Sequence, residues 1–330
     1  MKNIKTKRFL FIGVCLAITV AACGYMNTKY DRLARYPYDD QETRALIDKY
    51  LNDDEIEYLI EYSIAPVLIK DFIEVRDFNV YHAGDYYNLA HRKLELSNKE
   101  IVEITEKTID FMPMDDLVKY LDNYSYDELD AWLDKGSKLE DCPLLLDAGS
   151  MDAYVDDEVT LYRRVPFHLE SLSDEVPGDS SVIVDRAIQQ PLLNMCAVIQ
   201  NDLESEDLCG GLYVETGYVS YESQKALFDE AKRMYGNDAI RNSFEAGHSE
   251  HQLGLAIDFK KDEDFVESDA YKWLKKNAYR YGFIESYTSK NEYVTNKEPN
   301  PYHWRYVGED VAQMLMVRDI SLKDYTEMKE

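Results

Sequence analysis

Apolar residues recur at three- and four-residue spacing through the first 140 positions, and this period predicts helices. "DDEIEYLIEYSI" (53–64) and "YDELDAWLDKGS" (126–137) are two such stretches, and Gly136 is placed to stop the second. "SNKEIVEITEKTIDFM" (97–112) is a third, with Ser97 and Glu100 spaced as a capping box. The first two share an Asp-Glu start followed by Leu and an aromatic. Two copies of a long-period pattern do not establish a repeat. Beyond about residue 140 the pattern changes. "DAYVDDEVTLYRRVPF" (152–167) and "GGLYVETGYVSY" (210–221) predict strands and turns. Segments 185–203, 221–236 and 269–282 predict helices, the last stopped by Gly282. "HWRYVG" (303–308) predicts a closing strand. The expected architecture is a small helical module over 23–140 followed by an α+β domain over 141–330.

One apolar run contains chemistry. In "HSEHQLGLAIDF" (248–259), the "GLAIDF" portion predicts a buried strand. Leu255, Ile257 and Phe259 point one way along it, and Ala256 and Asp258 the other. A carboxylate there is costly to bury unless it is paired, protonated or bound to a metal. Gly254 permits a bend that brings His251 toward Asp258. Alone, that pair reads more readily as a structural hydrogen bond than as a metal site. A third residue changes the balance: His303 stands between aromatics at the entry to the last strand. Two histidines and one carboxylate plus water form the open four-coordinate set of a catalytic zinc site, and these donors suit zinc or a similar borderline metal.

The same residues carry a family resemblance. "SEHQLGLAIDF" resembles the S-x-H-x-x-G-x-A-x-D motif of VanY-type zinc D-Ala-D-Ala carboxypeptidases, and "HWRYVG" resembles their closing motif. "TGYVSYESQ" and "YGFIESY" fall in the matching order, so the resemblance covers roughly 145–320. It implies a compact α+β domain with a central antiparallel sheet. It implies Zn2+ held by His251, Asp258 and His303, with Gln224, Ser249, Tyr287 and Tyr302 lining the site. The implied substrate is the D-Ala-D-Ala end of a peptidoglycan stem peptide. Three positions depart from the family pattern: Val219 and Ser286 each stand where it has arginine, and Asn300 stands where it has the basic glutamate. Glu298, in "KEPNPY", is the substitute base if the loop carries two extra residues. His248, Arg241 and Arg280 are the candidate substitute cations. The departures leave a second expectation open, a metal-binding but catalytically impaired relative that binds wall peptides or acts as a scaffold.

The N-terminus sets the compartment. Lys2, Lys5, Lys7 and Arg8 precede an apolar run from Phe9 to Ala22, a secretory signal pattern. Its "VAAC" ending resembles a bacterial lipobox, with Cys23 as the lipidated residue, and an uncleaved anchor is the alternative reading. Simple secretion is the third reading; in every case the bulk of the chain is expected outside the cytoplasm, and the first two hold it to the membrane at its N-terminus. The helical module then reads as a spacer, or as a surface for a wall or protein partner that the sequence does not identify. The chain carries 64 acidic against 37 basic residues. Removing residues 1–22 takes away four of the basic ones and none of the acidic ones. Such a surface argues against nucleic acid as a partner. Cys142, Cys196 and Cys209 remain outside the signal; Cys196 and Cys209 are nearest in sequence, but spacing does not establish a disulfide.

Overall fold

The computed structural model describes residues 2–28, 31–135 and 142–329. Gly136 and the expected module boundary at 140/141 lie outside these residues. Packing divides the chain into two compact units, Met1–Phe111 and Met112–Glu330.

The first unit is helical. Helices Gln41–Tyr50, Asp53–Glu61, Ala83–Arg92 and Asn98–Thr108 follow one another. Two of them begin as the sequence predicts. Asn52 and Glu55 form a reciprocal capping box at one start, and Ser97 and Glu100 do so at the other. Each box satisfies backbone N–H groups that a helix start leaves without partners. The apolar stripes meet in a core containing Ile47, Leu59, Ile69 and Val80, all essentially without solvent exposure. The N-terminal apolar run lies in a helix, Lys2–Thr28, on which Cys23 is exposed. Among the described residues, no helix is long and apolar enough to cross a membrane.

Helices Met114–Asn123 and Tyr126–Asp134 pack in the second unit, ahead of the change in sequence texture. Three side chains on the first of these and its C-cap tie them there. Tyr120 donates to the Leu144 carbonyl, Tyr124 to that of Leu145, and Asn123 to that of Leu146.

The second unit is α+β, with small antiparallel sheets among helices. Strands β1 (Leu169–Ser171) and β2 (Ile183–Asp185) form one hairpin pair. Strands β3 (Val214–Thr216), β4 (Ala256–Phe259), β5 (Phe283–Glu285) and β6 (His303–Tyr306) form a four-stranded antiparallel sheet in the order β3-β4-β6-β5. The expected strands at 210–221, 254–259 and 303–308 are therefore present. The segment 152–167 is not a strand: it runs as turns, with one isolated bridge between Leu144 and Thr160. Its polar run Asp156-Asp157-Glu158 and the left-handed Tyr162 (φ 46°) interrupt extended pairing. Its start is held by Arg305, which donates to the carbonyls of Ala153 and of Met151 just before it. Helices 186–202, 221–235 and 269–277 form as expected, and Gly282 ends the last segment in the left-handed conformation (φ 83°). A disulfide joins Cys196 to Cys209.

Candidate metal centre

Strand register builds the site. In the antiparallel β4–β6 pair, Asp258 stands directly opposite His303. Side chains of directly opposed residues share one face of the sheet, so two candidate ligands meet without any special loop. His251 comes from a single 3-10 turn, Glu250–Leu253, just before β4. Ser249 opens that turn by accepting from the His251 N–H. Gly254 closes it with φ 75° and feeds the chain into β4. A Cβ at Gly254 would lie 2.9 Å from Leu169 Cδ2 and 3.3 Å from the Asp185 nitrogen. The bend therefore needs glycine for both conformation and space.

The three side chains converge. His251 Nε2 lies 3.2 Å from Asp258 Oδ1, and His303 Nδ1 lies 2.8 Å from the same oxygen. The imidazoles stand nearly perpendicular, with centroids 4.8 Å apart. One donor atom from each residue falls within 4.8 Å of the others. Ligands at zinc distances of 2.0–2.1 Å in a tetrahedron are about 3.3 Å from one another. The two separations from Asp258 lie near that value, so the donor set is compatible with a small tetrahedral cation.

The far nitrogens are held as well. His251 Nδ1 donates to the Gly217 carbonyl at 2.7 Å, which leaves Nε2 with a free lone pair. His303 Nε2 lies 2.9 Å from Glu250 Oε2, which turns Nδ1 toward Asp258. Such outer partners set the tautomer and raise the basicity of a metal-binding imidazole. Glu250 is the site residue that the sequence reading missed. The available signal was a charged residue between Ser249 and His251 in an otherwise buried motif. Its carboxylate also accepts from Ser286 Oγ at 2.7 Å, and Arg305 Nε lies 3.9 Å from its other oxygen.

Burial and charge act against each other here. Burial pushes the Asp258 carboxyl up, but the adjoining His251 and the hydrogen bond from His303 hold it well below the usual carboxylate range. Burial likewise raises Glu250, and His303, Arg305 and Ser286 outweigh it, so this carboxyl also stays ionised. Burial disfavours a charged His303, yet hydrogen bonds to Asp258 and Glu250 raise its pKa to about 9. A proton on that ring compensates the two carboxylates, and a cation at the cluster would take over the same role. Burial and nearby Glu250 raise the Tyr287 phenol well above its ordinary value, so it stays neutral.

The remaining expected residues separate into two groups. Tyr287 belongs to the cluster wall, its ring centroid 5.2 Å from that of His303. Tyr302 precedes His303 and packs its ring 5.0 Å from that of Phe265. Gln224 is buried and donates to the Phe244 carbonyl at 2.8 Å. Val219 approaches the site through its backbone, its N–H 3.3 Å from the His251 carbonyl. Asn300 accepts from the His303 N–H through its carbonyl and from the Tyr302 N–H through its side chain. Glu298 is held elsewhere: its carboxylate pairs with Arg241 at 2.7 Å, and its N–H donates to the Arg241 carbonyl. Among the candidate cations, His248 Nδ1 lies 2.7 Å from the Asp156 carbonyl, Arg280 contacts Tyr279, and Arg241 also pairs with Glu292.

Residues 185–309 match the family model for VanY, D-alanyl-D-alanine carboxypeptidase. A putative carboxypeptidase of Bacillus subtilis, YodJ, is 38% identical over 120 residues, which is 34% of this chain and 44% of that protein. A D-alanyl-D-alanine carboxypeptidase of Enterococcus faecalis is 34% identical over 137 residues, 38% of this chain and 51% of the relative. The chain thus spans about half the length of these curated relatives. A solved structure of VanYB in complex with D-alanine-D-alanine is 27% identical, covers 55% of this chain and 99% of its own, and superposes with a TM-score of 0.46.

Proposed function

We propose that the chain, whose residues 185–309 match the VanY family of D-alanyl-D-alanine carboxypeptidases, is a zinc-dependent carboxypeptidase that removes the terminal D-Ala from peptidoglycan stem peptides. The observation that carries this reading is the meeting of two oriented imidazoles and one ionised carboxylate at a single point. A zinc ion held by His251, Asp258 and His303 supplies Lewis acidity to a peptide carbonyl and acidifies water.

The chain's own groups supply the rest. His251 Nε2, Asp258 and His303 Nδ1 hold the cation, with Gly217 and Glu250 fixing the two rings. Tyr287 and Tyr302 wall the bound peptide, and Ser249 and Gln224 brace the turn and the neighbouring segment. Glu298 accepts a proton from the attacking water and passes it to the leaving D-Ala nitrogen. The water oxygen ends in the new carboxylate as the C–N bond breaks. The base must come within about 3 Å of that water, so Glu298 must leave Arg241 to act. That same ion pair favours a second reading, a metal-binding relative that holds wall peptides without cleaving them.

Cys23 is the proposed lipid attachment point, which would hold the protein at the outer face of the cytoplasmic membrane near its substrate. The helical unit would then act as spacer.

The test uses purified zinc-loaded protein and a stem pentapeptide, with D-Ala release followed by mass spectrometry. One D-Ala per peptide is expected. Glu298→Gln should lower the rate by about 100-fold or more without loss of zinc, the usual scale for a general base. Stoichiometric zinc with no release overturns the carboxypeptidase reading in favour of the second. Release that survives Glu298→Gln assigns the base elsewhere.

A further inference from the structure

A second cavity, of about 560 Å³, borders β5 at an edge of the four-stranded sheet and helix Glu309–Arg318. That volume is within the range of sites for small organic molecules. Among the described residues, His251, Asp258 and His303 are not part of its wall, but Glu250 and Ser286 are. Glu250 meets the His303 ring at Nε2, whereas Asp258 meets it at Nδ1. The cavity therefore reaches, from behind the cluster, the carboxylate that orients a metal-binding imidazole.

Its wall has the chemistry of an organic-cation site. A carboxylate accepts up to about four hydrogen bonds. Glu250 uses Oε2 for both Ser286 Oγ and His303 Nε2. Its other oxygen lies 3.9 Å from Arg305 Nε, beyond hydrogen-bond reach. Tyr154, Tyr287 and Trp304 line the same cavity, and aromatic faces attract cations, most of all where water is excluded. Leu315 and Leu322, both buried, add an apolar floor. The lysines on the wall do not offset the carboxylate, because each is matched by an acid: Lys275 by Glu285, Lys290 by Asp319 at 2.9 Å and Lys323 by Asp156 at 3.0 Å. Exposed Tyr293 and Lys290 mark the solvent side. An anion would meet a buried carboxylate here, and a neutral ligand would leave its remaining acceptor capacity unused.

We propose that this cavity binds an organic cation, a guanidinium or primary ammonium group on a short apolar stem, with the charge against Glu250, and that its binding opposes zinc binding. The stem lies on the leucine floor. The bound cation draws on the carboxylate that assists His303, and it adds positive charge beside a centre that a metal makes more positive. The coupling is reciprocal, so zinc weakens the cation by the same factor. A small basic molecule thereby regulates metal occupancy without entering the metal centre. The cation site does not require peptide turnover, and the antagonism rests on the three-residue metal centre.

Calorimetry on the metal-free full chain compares n-butylguanidinium and n-butylammonium with neutral n-butylurea and with pentanoate. Both cations should bind one to one, about tenfold or more tightly than the urea, the scale of a hydrogen bond to a charged group, and pentanoate should not bind. Ser286→Arg supplies a guanidinium from the wall itself and should abolish cation binding. Met316→Trp narrows the cavity at a half-exposed wall position and should weaken cation and urea alike, which keeps the test open if Ser286→Arg does not fold. Urea bound as tightly as the cations overturns the cation site, as does cation binding that survives these substitutions. Zinc affinity is then measured by chelator competition with and without saturating n-butylguanidinium. The zinc dissociation constant should rise about fivefold or more, the lower end of allosteric coupling. An unchanged constant overturns the antagonism. A chain that takes up no zinc overturns it together with the metal centre, and calorimetry still decides the cation site.

Discussion

Replacing Glu250 by glutamine removes one charge from behind the metal cluster and leaves the shape nearly intact. The carboxylate is 2% exposed, receives His303 Nε2 at 2.9 Å and Ser286 Oγ at 2.7 Å, and lies near Arg305. A glutamine oxygen can still accept from the histidine, but the bond is no longer assisted by charge. The imidazole becomes less basic and its orientation less restricted. Outer partners of this type contribute about 10–100-fold to metal affinity, or about 1.4–2.7 kcal/mol. Fold stability should fall as well. Arg305 has no solvent exposure, and its Nε and Nη1 have no hydrogen-bond partner. Glu250→Gln leaves that cation without its neighbouring anion, and breaking a buried pair from one side costs about 3–5 kcal/mol. The assay is competition for zinc against a chromophoric chelator, with thermal unfolding of the zinc-free protein in parallel. Affinity within about twofold of wild type would refute the argument that Glu250 orients His303 for the metal.

Two further substitutions probe the scaffold. Changing Cys196 and Cys209 together to serine opens a loop of 13-residue separation; thermal or urea unfolding should show a loss of about 3 kcal/mol, and unchanged stability would refute that contribution. Gly254→Ala places a Cβ against Leu169 in a left-handed conformation; a loss of about 1–2 kcal/mol with weaker zinc binding is expected, and a variant as stable and as zinc-competent as wild type would refute the role of the bend.

The convergence of His251, Asp258 and His303 was legible because it uses strong local signals. A charged residue in a strand of alternating apolar positions needs a partner, and a glycine before it marks a bend. Strand register then completes what spacing could not, by setting Asp258 opposite His303. Glu250 was hidden because a glutamate between a serine and a histidine looks like a surface residue until the turn around it is seen to be buried. The segment 152–167 reads as strands and turns from its apolar Val155, Val159 and Leu161, and only the turns and one isolated bridge form. Its backbone is held instead by remote partners, among them Arg305 at the Ala153 carbonyl and the Gly247 carbonyl that accepts from Leu161. Composition suggested one change of texture near residue 140. The packing division at Phe111 depends on which carbonyls Tyr120 and Tyr124 reach, and no local pattern encodes that. The pairing of Glu298 with Arg241 is likewise a contact between residues 57 positions apart.

His251, Asp258 and His303 are proposed to form one metal centre. Equilibrium titration of metal-free protein with zinc tests it most directly, comparing wild type with Asp258→Ala and His303→Ala. One tightly held zinc per wild-type chain is expected, with a loss of affinity of about 100-fold or more in each variant, consistent with loss of one of three protein ligands. Variants that bind zinc with the stoichiometry and affinity of the wild type would contradict it.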